Sequence, residues 1–376
     1  MKTRFLIMVF WALDCLLFFP ACKGNIGTNY KLADELTAMV WNVQNLFDGE
    51  EAGDEYADFR EGSGWTQEKY KARLLSISQG IIGIKAGSKP QVPDIIGLIE
   101  VENSNVLEDL AKGHLLEHGF IETFFGRVPG MATGIGVLSR LPLEKAILHS
   151  ITVNGETSPR PMLEVHVEAA GEQLVFFVCH WKSKLGGDNA TEHLRRASSR
   201  IVMRRVLELK KEKPGVPVIV MGDLNVNHDE FYRRGSSVIT ALMPDSAATA
   251  DMHMTASLGS LFQGSLLPAT LDFLVLSNNK PPRPEYFDAW VPVFYSAWEN
   301  ELQDGSYFYR DNWETIDHIL MTEELFDQKA WDLESIHVLN DPPFVNSNAT
   351  PNSYNQRTGF GLSDHLPLVL VLRLAD

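Results

Sequence analysis

Residues 218–225, Val-Ile-Val-Met-Gly-Asp-Leu-Asn, combine a short apolar run with an abrupt polar end. Runs of this length that are rich in β-branched residues are typical of buried strands. Taken alone, Asp223 and Asn225 would be ordinary turn residues after such a strand. The pattern recurs, however, and further apolar runs predict buried strands at residues 38–43, 95–99, 134–138, 174–179, 316–321 and 368–374.

Polar side chains lie at or next to the ends of most of these runs. The set comprises Asn42, Glu100, His180, Asp223, Asn225, Asp317, Asp364 and His365. A buried charged group is costly unless it is paired or bound to a metal. Each residue singly would be a turn residue, a cap or a structural histidine. Their occurrence together in one chain predicts that the strands bring them into one acidic pocket with two imidazoles.

Two helical patterns are interspersed with the strands, at Tyr70, Leu74, Ile77 and Ile81 and again at Leu194, Ala197 and Ile201. This order predicts sheets that are covered by helices. Residues 162–168 alternate between polar and apolar side chains, which predicts a strand with one solvated face. Residues 229–312 are the least regular, and there we expect long surface connections with one strand near 271–276.

Composition excludes several classes of protein. The chain has 376 residues, of which 44% are hydrophobic and 22% charged, so it can fold without covalent staples and is not a disordered chain. Its 33 basic and 49 acidic residues give a net charge of −16, which argues against a broad basic surface for nucleic acid. A phosphate ligand would therefore need a metal ion or a few clustered lysines and arginines to offset the repulsion.

The N-terminus has the layout of an export signal, because a basic start and an apolar stretch over residues 5–19 precede Cys22. We expect residues 1–21 to be a lipoprotein-type signal peptide, Cys22 to be lipidated, residues 22–29 to be a tether and residues 30–376 to be one domain. A simple cleaved signal and an uncleaved anchor are the alternatives. The expected location is the cell envelope, with membrane contact only through the lipid anchor, or the exterior.

Cysteine content gives one further expectation. Cys15 lies in the leader and Cys22 at its edge, which leaves Cys179 in the body of the chain. Its position at the end of an apolar run predicts a small buried hydrophobe rather than a nucleophile. With Cys22 lipidated, no internal disulfide is expected.

Four segments carry a resemblance to a known family: residues 41–43 (Trp-Asn-Val), 94–100 (Asp-Ile-Ile-Gly-Leu-Ile-Glu), 222–225 (Gly-Asp-Leu-Asn) and 363–367 (Ser-Asp-His-Leu-Pro). Together they resemble the endonuclease/exonuclease/phosphatase superfamily, which includes pancreatic-type deoxyribonuclease, abasic-site endonuclease, neutral sphingomyelinase and the inositol polyphosphate phosphatases. The resemblance covers residues 38–374. It implies an α/β (α+β) fold, a four-layer sandwich in which two mixed β-sheets pack face to face with helices outside. It also implies hydrolysis of a phosphate ester with Mg²⁺ or Mn²⁺.

The resemblance implies oxygen ligands for the metal. Glu100 matches the principal metal carboxylate, Asn42 lies beside it, and Asp364 could complete a second metal position. A hard cation such as Mg²⁺ keeps several waters and needs only one or two carboxylates plus the substrate phosphate, which suits this set.

The resemblance also implies catalytic roles. Asp223 would orient or deprotonate the attacking water, and Asn225 would hold the scissile phosphate. His365, polarised by Asp317, would contact that phosphate or act as a general base. His180 would protonate the leaving oxygen. Acid–base catalysis of this kind contributes roughly 10² to 10⁴ in rate.

Positive charge concentrates just after His180, at Lys182, Lys184, Arg195, Arg196 and Arg200. These residues form either a strip that tracks phosphates or a solvated helix face. Arg160 resembles an arginine that some nuclease relatives direct at DNA, and it also fits a structural surface role. The candidate substrate-binding set is Arg160, Lys182, Lys184 and Arg200. The Lys-Ser-Lys at 182–184 and the Tyr-Phe-Tyr at 307–309 resemble the extracellular bacterial nucleases.

The leading hypothesis is an exported, divalent-metal-dependent endonuclease that acts on DNA or RNA, with no protein partner predicted. A phosphoinositide phosphatase or a sphingomyelinase-type phosphohydrolase shares the same core residues, and apolar membrane-binding loops would favour it. Residues 290–298 are the one candidate for such a loop, and a buried strand explains them at least as well. A catalytically silent surface lipoprotein that binds other molecules is the third alternative.

Overall fold

The structure, a computed structural model, describes residues 34–60, 62–84, 92–153, 155–247, 271–283 and 291–375. The predicted signal peptide, the lipidated Cys22, the tether and the predicted domain start at residue 30 lie outside the described residues.

The described residues form strands and helices in the following order. The strands are β1 Glu35–Leu46, β2 Ile95–Val101, β3 Glu122–Gly126, β4 Gly134–Ser139, β5 Leu143–His149, β6 Thr152–Val153, β7 Glu156–Thr157, β8 Met162–Ala169, β9 Glu172–His180, β10 Val218–Asp223, β11 Leu242–Pro244, β12 Leu274–Ser277, β13 Val293–Ser296, β14 Tyr307–Tyr309, β15 Asn312–Glu314, β16 Asp317–Met321, β17 Trp331–Val338 and β18 Leu368–Leu374. The α-helices are α1 Gln67–Ile82, α2 Ser104–Asp109, α3 Asp188–Glu212 and α4 Glu230–Arg233. Short helical turns lie at Ala57–Phe59, Leu110–His114, Leu116–His118 and Glu323–Phe326.

Two mixed sheets dominate the described part of the chain. The first has the strand order β17-β18-β1-β2-β4-β3, and the second β11-β12-β13-β16-β10-β9-β8-β5. The parallel pairs β1–β2 and β9–β10 are connected through α1 and α3 respectively, as parallel neighbours require a crossover. The hairpins β14-β15 and β6-β7 are separate small sheets.

The two large sheets pack face to face through an apolar core. Along β1, Ala38 and Val40 point into this core, whereas Met39 and Trp41 pack on the opposite side, in keeping with the two-residue period of a strand. The second sheet contributes Phe176, Val178, Ile219 and Met221 to the same core.

Helices cover the outer faces of both sheets. α1 packs Tyr70, Leu74, Ile77 and Ile81 against the first sheet. α3 packs Ala197, Val202, Met203, Val206 and Leu209 against the second. Both predicted helices are confirmed, and the four-layer sandwich of two mixed sheets between helices is the observed fold.

The prediction of a solvated face on residues 162–168 is wrong. On β8, Glu164 and His166 are 0% and 5% exposed, and only Glu168 of the three polar residues there is exposed. α3 reaches this face, and its Arg205 donates to both carboxylate oxygens of Glu164 at 2.9 Å. The alternating pattern identifies a polar face, but the placement of a distant helix decides that this face is buried and paired.

Residues 229–312 contain more regular structure than predicted. Where they are described, α4, β11, β12, β13 and β14 lie within them, and three of these strands extend the second sheet. β12 matches the strand expected near 271–276. The strands have three or four residues each, which is too short for a periodic pattern to stand out.

The aromatic stretch that includes β13 is a buried strand. Phe294 and Tyr295 are fully buried and Trp298 is 3% exposed. The membrane-loop interpretation is therefore wrong for residues 291–298, because these rings pack in the interior. Cys179 is likewise fully buried, as predicted. In the ranges that the structure describes, no helix has both the length and the apolar character needed to span a bilayer.

Candidate active site

Three polar residues lie side by side at one end of the second sheet. Asp223 on β10 is the register partner of Asp317 on β16 and of His180 on β9. Asp223 follows the inward-facing Met221 by two residues, and His180 follows Val178 in the same way. The period of the strands therefore directs these side chains into the space between the sheets, where the apolar core ends.

Asn42 approaches the same point from the first sheet. It continues the inward-facing series of β1 two residues after Val40. Its Nδ2 donates to Asp223 Oδ2 at 3.2 Å, and its Oδ1 accepts the backbone N–H of Gln44 at 3.0 Å. The hydrogen bond between Asn42 and Asp223 thus connects the two sheets.

Glu100 reaches the site because β2 is irregular at its end. Strict alternation would turn Glu100 to the outer face, where Leu98 packs. The pairing of β2 with β4 shifts register here, and Glu100 has a φ of +67°. Such a bulge re-aims a side chain. Glu100 Oε2 accepts the backbone N–H of Asn45 at 3.1 Å, and Oε1 lies 3.8 Å from His180 Nε2.

The backbone around Asp223 is held in an unusual conformation. Gly222 has a φ of +145°, and a Cβ placed there would lie 1.9 Å from the carbonyl oxygen of Cys179, so glycine is required. Asn225 has a φ of +52°; its N–H donates to Asp223 Oδ1 at 3.0 Å, and its Nδ2 donates to the Trp181 carbonyl at 3.1 Å. Left-handed conformations of residues other than glycine concentrate at functional sites.

His180 is buried with a nitrogen that lacks a hydrogen bond. Its Nε2 lies 3.6 Å from Asp223 Oδ2 and has no hydrogen-bond partner among the described residues. Burial lowers the pKa of His180 well below its usual range, and the charges of Arg160, His365 and Lys182 lower it further. The imidazole is therefore neutral at pH 7. An orphaned buried nitrogen of this kind is costly unless a ligand or water meets it.

His365 is the opposite case, since it is firmly paired. Its Nδ1 lies 2.8 Å from Asp317 Oδ2, and the Ser306 hydroxyl donates to the same oxygen at 2.6 Å. Burial alone would lower the pKa of His365, but the Asp317 carboxylate outweighs burial and raises it to about 10. The Ser363 hydroxyl accepts the His365 N–H at 3.1 Å. The Tyr307 ring stacks on the imidazole with centroids 4.5 Å apart. The pair is therefore an imidazolium next to a carboxylate.

Asp223 lies between the two imidazoles. Burial raises its pKa to about 7, against the lowering effect of the charged His365 and with a further increase from Asp317. A carboxyl group that titrates near neutral pH can both accept and release a proton there. The site thus holds a charged imidazole, a neutral imidazole and a carboxyl group whose pKa is close to neutral pH.

The donor set suits a hard divalent cation, the type that this fold usually carries. Glu100, Asn42 and Asp364 offer oxygen ligands, and among the described residues no hydrogen-bond donor reaches Glu100 Oε1. Burial raises the pKa of Asp364, which is partly buried. Asp223, Asp317 and His365 also place one ligand atom each within 4.8 Å of one another. His365 and Asp317 are already bonded to each other, whereas Glu100 Oε1 accepts no hydrogen bond among the described residues, so the Glu100 group has the more available oxygen atoms.

The predicted substrate-binding cations do not form a continuous strip. Arg160 and Lys182 lie close enough to His180 for their charges to lower its pKa. Lys184 is paired with Glu230 at 2.6 Å. Arg200 is exposed on α3, 12 residues after the helix begins at Asp188, which corresponds to about 18 Å of helix.

The other arginines after His180 have structural partners. Arg195 is fully buried and bonded to Asp188 and Glu192, each at 2.6 Å. Arg196 is paired with Asp272 at 2.7 Å. Arg195 and Arg196 therefore belong neither to a strip that tracks phosphates nor to a solvated helix face, because carboxylates pair with both.

Several supporting residues were not assigned from the sequence. Ser306 and the stacked Tyr307 belong to a segment that returns to the site only in the fold. Ser363, which was noted as part of the Ser-Asp-His-Leu-Pro segment, donates to the Asn42 carbonyl at 2.6 Å. Arg73, 1% exposed, donates to the Val43 and Gln44 carbonyls. Its place on the apolar face of α1, three residues after Tyr70, was a signal that could have identified it.

A family model described as "Endonuclease/Exonuclease/phosphatase family" matches residues 37–263. The fold and this match define the chain as a phosphoesterase in the broad sense. The chain belongs to the endonuclease/exonuclease/phosphatase family, whose members are phosphoesterase hydrolases. A search of curated proteins gave no match.

Solved structures share the fold at low sequence identity. A protein of this family from Bacteroides thetaiotaomicron is 17% identical, with a TM-score of 0.50, and the match covers 91% of this chain and 95% of that chain. The human Nocturnin catalytic domain with bound sulfate is 15% identical, with a TM-score of 0.49 and coverage of 91% and 94%. A mannosyl-6-phosphatase from Bacteroides thetaiotaomicron is 17% identical, with a TM-score of 0.48 and coverage of 90% and 99%. At these identities the likeness concerns the fold alone.

Proposed function

We propose that this protein is an exported phosphodiesterase that requires a divalent cation, Mg²⁺ or Mn²⁺, and cuts DNA or RNA internally. The observation that carries the proposal is the arrangement of two imidazoles around Asp223, one paired with a carboxylate and one with an unpartnered nitrogen. His365 is held as a cation by Asp317 at 2.8 Å, whereas His180 is neutral with an unpartnered Nε2. Pairs of titratable groups whose environments push their pKa values apart are typical of acid–base catalysis.

The side chains support the following division of labour. Asp223 takes the proton of the attacking water while the new P–O bond forms, and His365 gives a proton to the oxygen that leaves. Asn225 donates to a phosphoryl oxygen, and His180 Nε2 bonds to the substrate or to the attacking water. A divalent cation held by Glu100, with Asn42 beside it and Asp364 at a second position, would neutralise charge on the phosphoryl oxygens.

This assignment moves the acid role from His180, where the resemblance implied it, to His365. A neutral His180 with a strongly lowered pKa is a poor proton donor at pH 7. His365, with a pKa raised to about 10 by Asp317, carries a proton throughout the neutral range. The charge state of each imidazole therefore favours His365 as the acid.

Two stacked tyrosines, Tyr307 and Tyr309, form a tyrosine ladder beside His365 that supports a nucleic acid as substrate. Tyr307 stacks on His365, Tyr309 stacks on Tyr307 at 6.1 Å with 14° between the ring planes, and the Arg310 guanidinium lies 5.0 Å from the centre of Tyr309. Tyr309 is 48% exposed. Stacking of bases on such rings is tolerant of sequence and contributes about 1–3 kcal/mol per base. A lipid headgroup would make little use of this ladder, and the buried β13 removes the one candidate membrane loop.

The test is a substrate panel. The purified protein is incubated with plasmid DNA, RNA, sphingomyelin and a phosphoinositide, in Mg²⁺, Mn²⁺ or EDTA, next to the His365→Ala and Tyr309→Ala variants. Nicking that requires the cation and His365, and that weakens in Tyr309→Ala, supports the proposal. Lipid turnover without nucleic-acid cleavage would replace it with the lipid phosphohydrolase alternative. No turnover of any substrate would favour the silent binding lipoprotein.

Export and anchoring rest on the sequence of residues 1–29. We propose that Cys22 carries the lipid and that residues 30–376 form one domain. Incorporation of a labelled fatty acid in the wild type but not in Cys22→Ser is the expected result. Membrane-associated protein without label in the wild type would contradict lipidation at Cys22.

A further inference from the structure

A cavity of about 390 Å³ opens next to the Glu100 side of the site. Its lining includes Asn45, whose backbone N–H donates to Glu100 Oε2 at 3.1 Å. The tyrosine ladder, in contrast, begins at His365. Glu100, His180, Asp223, Asp317 and His365 are called the catalytic cluster below. The cavity adjoins Glu100 and the tyrosine ladder adjoins His365, so they contact different members of this cluster.

The far wall of the cavity is fixed in place by contacts outside the catalytic cluster. The Tyr354 N–H donates to Gln44 Oε1 at 2.7 Å, and Gln44 Nε2 donates back to the Tyr354 carbonyl at 3.3 Å. The Arg73 guanidinium lies 3.5 Å from the centre of the Tyr354 ring. Lys69 Nζ donates to the Gln356 carbonyl at 3.0 Å. The cavity is therefore formed before any ligand arrives, which lowers the cost of binding.

The lining combines the groups that recognise a nucleotide. The partly buried ring of Phe59 offers apolar surface to a planar base, and it lies in the same lining as the buried Tyr354. The Asn45 amide offers a donor and an acceptor to the edge of a base. The Asn355 amide offers its Nδ2 donor, because its Oδ1 already accepts the N–H groups of Arg357 and Thr358. Arg357 is exposed, and among the described residues its guanidinium has no ion-pair partner. Guanidinium groups bind phosphate well because of their planar, forked donors.

The same lining disfavours other occupants. It is mainly polar, so an acyl chain would gain little there. The carboxylate of Asp58 also lines the cavity and would repel a second phosphate placed next to it, while it could accept from a sugar hydroxyl. A base with its sugar inside the cavity and its phosphate at Arg357 fits this distribution of charge.

We propose that this cavity is a subsite for one nucleotide unit of the substrate, adjacent to the phosphate under attack on the Glu100 side. This proposal rests on the proposed nuclease function, because it assumes a polymeric nucleic acid in the catalytic centre. The substrate would then extend from the tyrosine ladder, past the catalytic residues, into the cavity.

The first test measures nucleotide binding without catalysis. Nucleoside 5′-monophosphates are titrated in EDTA while tryptophan fluorescence is recorded. Trp65 is a local reporter, because its ring lies 6.2 Å from that of Tyr354. We expect a saturable change that is lost in Trp65→Phe and a dissociation constant about tenfold higher in Arg357→Ala, with partial recovery in Arg357→Lys. Arg283→Ala is the matched control, since Arg283 is an exposed arginine that lines a different cavity.

The second test separates this proposal from the proposed function. The ratio of kcat/KM for a 12-nucleotide single strand to kcat/KM for bis(p-nitrophenyl) phosphate is measured for the same variants. Arg357→Ala should lower this ratio about tenfold, because the small diester does not reach the cavity. Cleavage of the oligonucleotide with an unchanged ratio and unchanged nucleotide binding would overturn the subsite alone. Failure to cleave any nucleic acid would overturn the nuclease function, whatever the fluorescence shows.

Discussion

Two buried clusters in this protein combine histidines with a carboxylate, and they differ in whether their polar atoms have partners. Under α3, Glu164 is bonded to His149 at 2.7 Å, to His166 at 2.6 Å and to Arg205 at 2.9 Å. Burial alone would raise the pKa of Glu164, but these three partners hold it well below its usual range. Each carboxylate oxygen has at least two partners, so this cluster has no vacancy for a ligand.

The catalytic cluster has the same residue types in a less satisfied arrangement. His180 Nε2 has no partner among the described residues, and burial raises the pKa of Asp223 to about 7. Glu100 and Asn225 have positive φ angles of 67° and 52°. Unpaired polar atoms and strained backbone are destabilising, and they persist in active sites because a ligand completes them. The two clusters therefore differ in whether their buried polar atoms have hydrogen-bond partners, and not in the types of residue that they contain.

The largest expected effect is on catalysis. His365→Ala should lower kcat on a phosphodiester by about 10⁴-fold, because it removes both a positive charge and a proton donor. The melting temperature should fall only slightly, since the Ser306 hydroxyl still donates to the Asp317 carboxylate. Steady-state kinetics and thermal unfolding check this together. His193→Ala, which alters a 43% exposed histidine side chain on α3, is the control. A kcat within tenfold of the wild type would remove His365 from the chemistry.

The structural cluster should respond in the opposite way. Glu164→Ala leaves Arg205 and two histidines buried without their carboxylate, which should cost about 3 kcal/mol of unfolding free energy. Where the protein is folded, kcat should stay within about twofold of the wild type. Denaturant unfolding measures the first quantity, and Glu168→Ala is the matched control because Glu168 is exposed on the same strand. A catalytic loss without destabilisation would mean that the two clusters are not separate in function.

Glu164 and Asp223, one from each cluster, should also contribute pH dependences of opposite sign in EDTA. The folded pKa of Glu164 is below the ordinary glutamate value of 4.5, so its contribution to stability is present above pH 4.5 and is lost as the pH falls. The folded pKa of Asp223, about 7, is above the ordinary aspartate value of 3.8. The folded state therefore holds the extra proton, and the contribution of Asp223 to stability falls as the pH rises from about 4 to 7.

Variants isolate each contribution to this profile. Asp223→Asn should remove this loss of stability between pH 4 and 7, which we expect to be well over tenfold in the unfolding equilibrium constant because the pKa rises from 3.8 to about 7. Glu164→Gln should flatten the acid limb below pH 4.5. Chemical unfolding at a series of pH values measures both. His180, whose pKa is lowered by burial, contributes in the other direction below pH 6.5, so the comparison with the variant is decisive. A profile between pH 4 and 7 that Asp223→Asn leaves unchanged would show that burial does not hold a proton on Asp223.

Much of the fold and the site followed from the sequence because strand geometry is local. A short apolar run that ends in Asp223 or His180 predicts both the buried strand and its polar end. The register of three neighbouring strands then aligns Asp317 with these two residues. The metal carboxylate Glu100 depended on the resemblance, because simple alternation would have turned it to the outer face.

What could not be predicted depends on contacts between distant segments. Glu164 and His166 have the alternation of a solvated strand face, and only the position of α3 buries them. Arg195 and Arg200 lie on one helix five residues apart, yet one is fully buried and the other exposed. Tyr307 and His365 are 58 residues apart in the sequence, and no local pattern predicts that their rings stack.

The smallest effect concerns the cations around the catalytic cluster. Arg160 and Lys182 lie close enough to His180 for their charges to lower its pKa, whereas Arg200 lies about 18 Å along α3 from the start of that helix. Each of Arg160→Ala and Lys182→Ala should raise KM for DNA about threefold and reduce the slope of log KM against log salt by about one, because one phosphate contact is lost. Arg200→Ala should change KM by less than twofold. If Arg200→Ala alters KM and the salt slope as much as Lys182→Ala does, the cationic strip extends along α3, and the outer face of the second sheet contributes to binding as well as to stability.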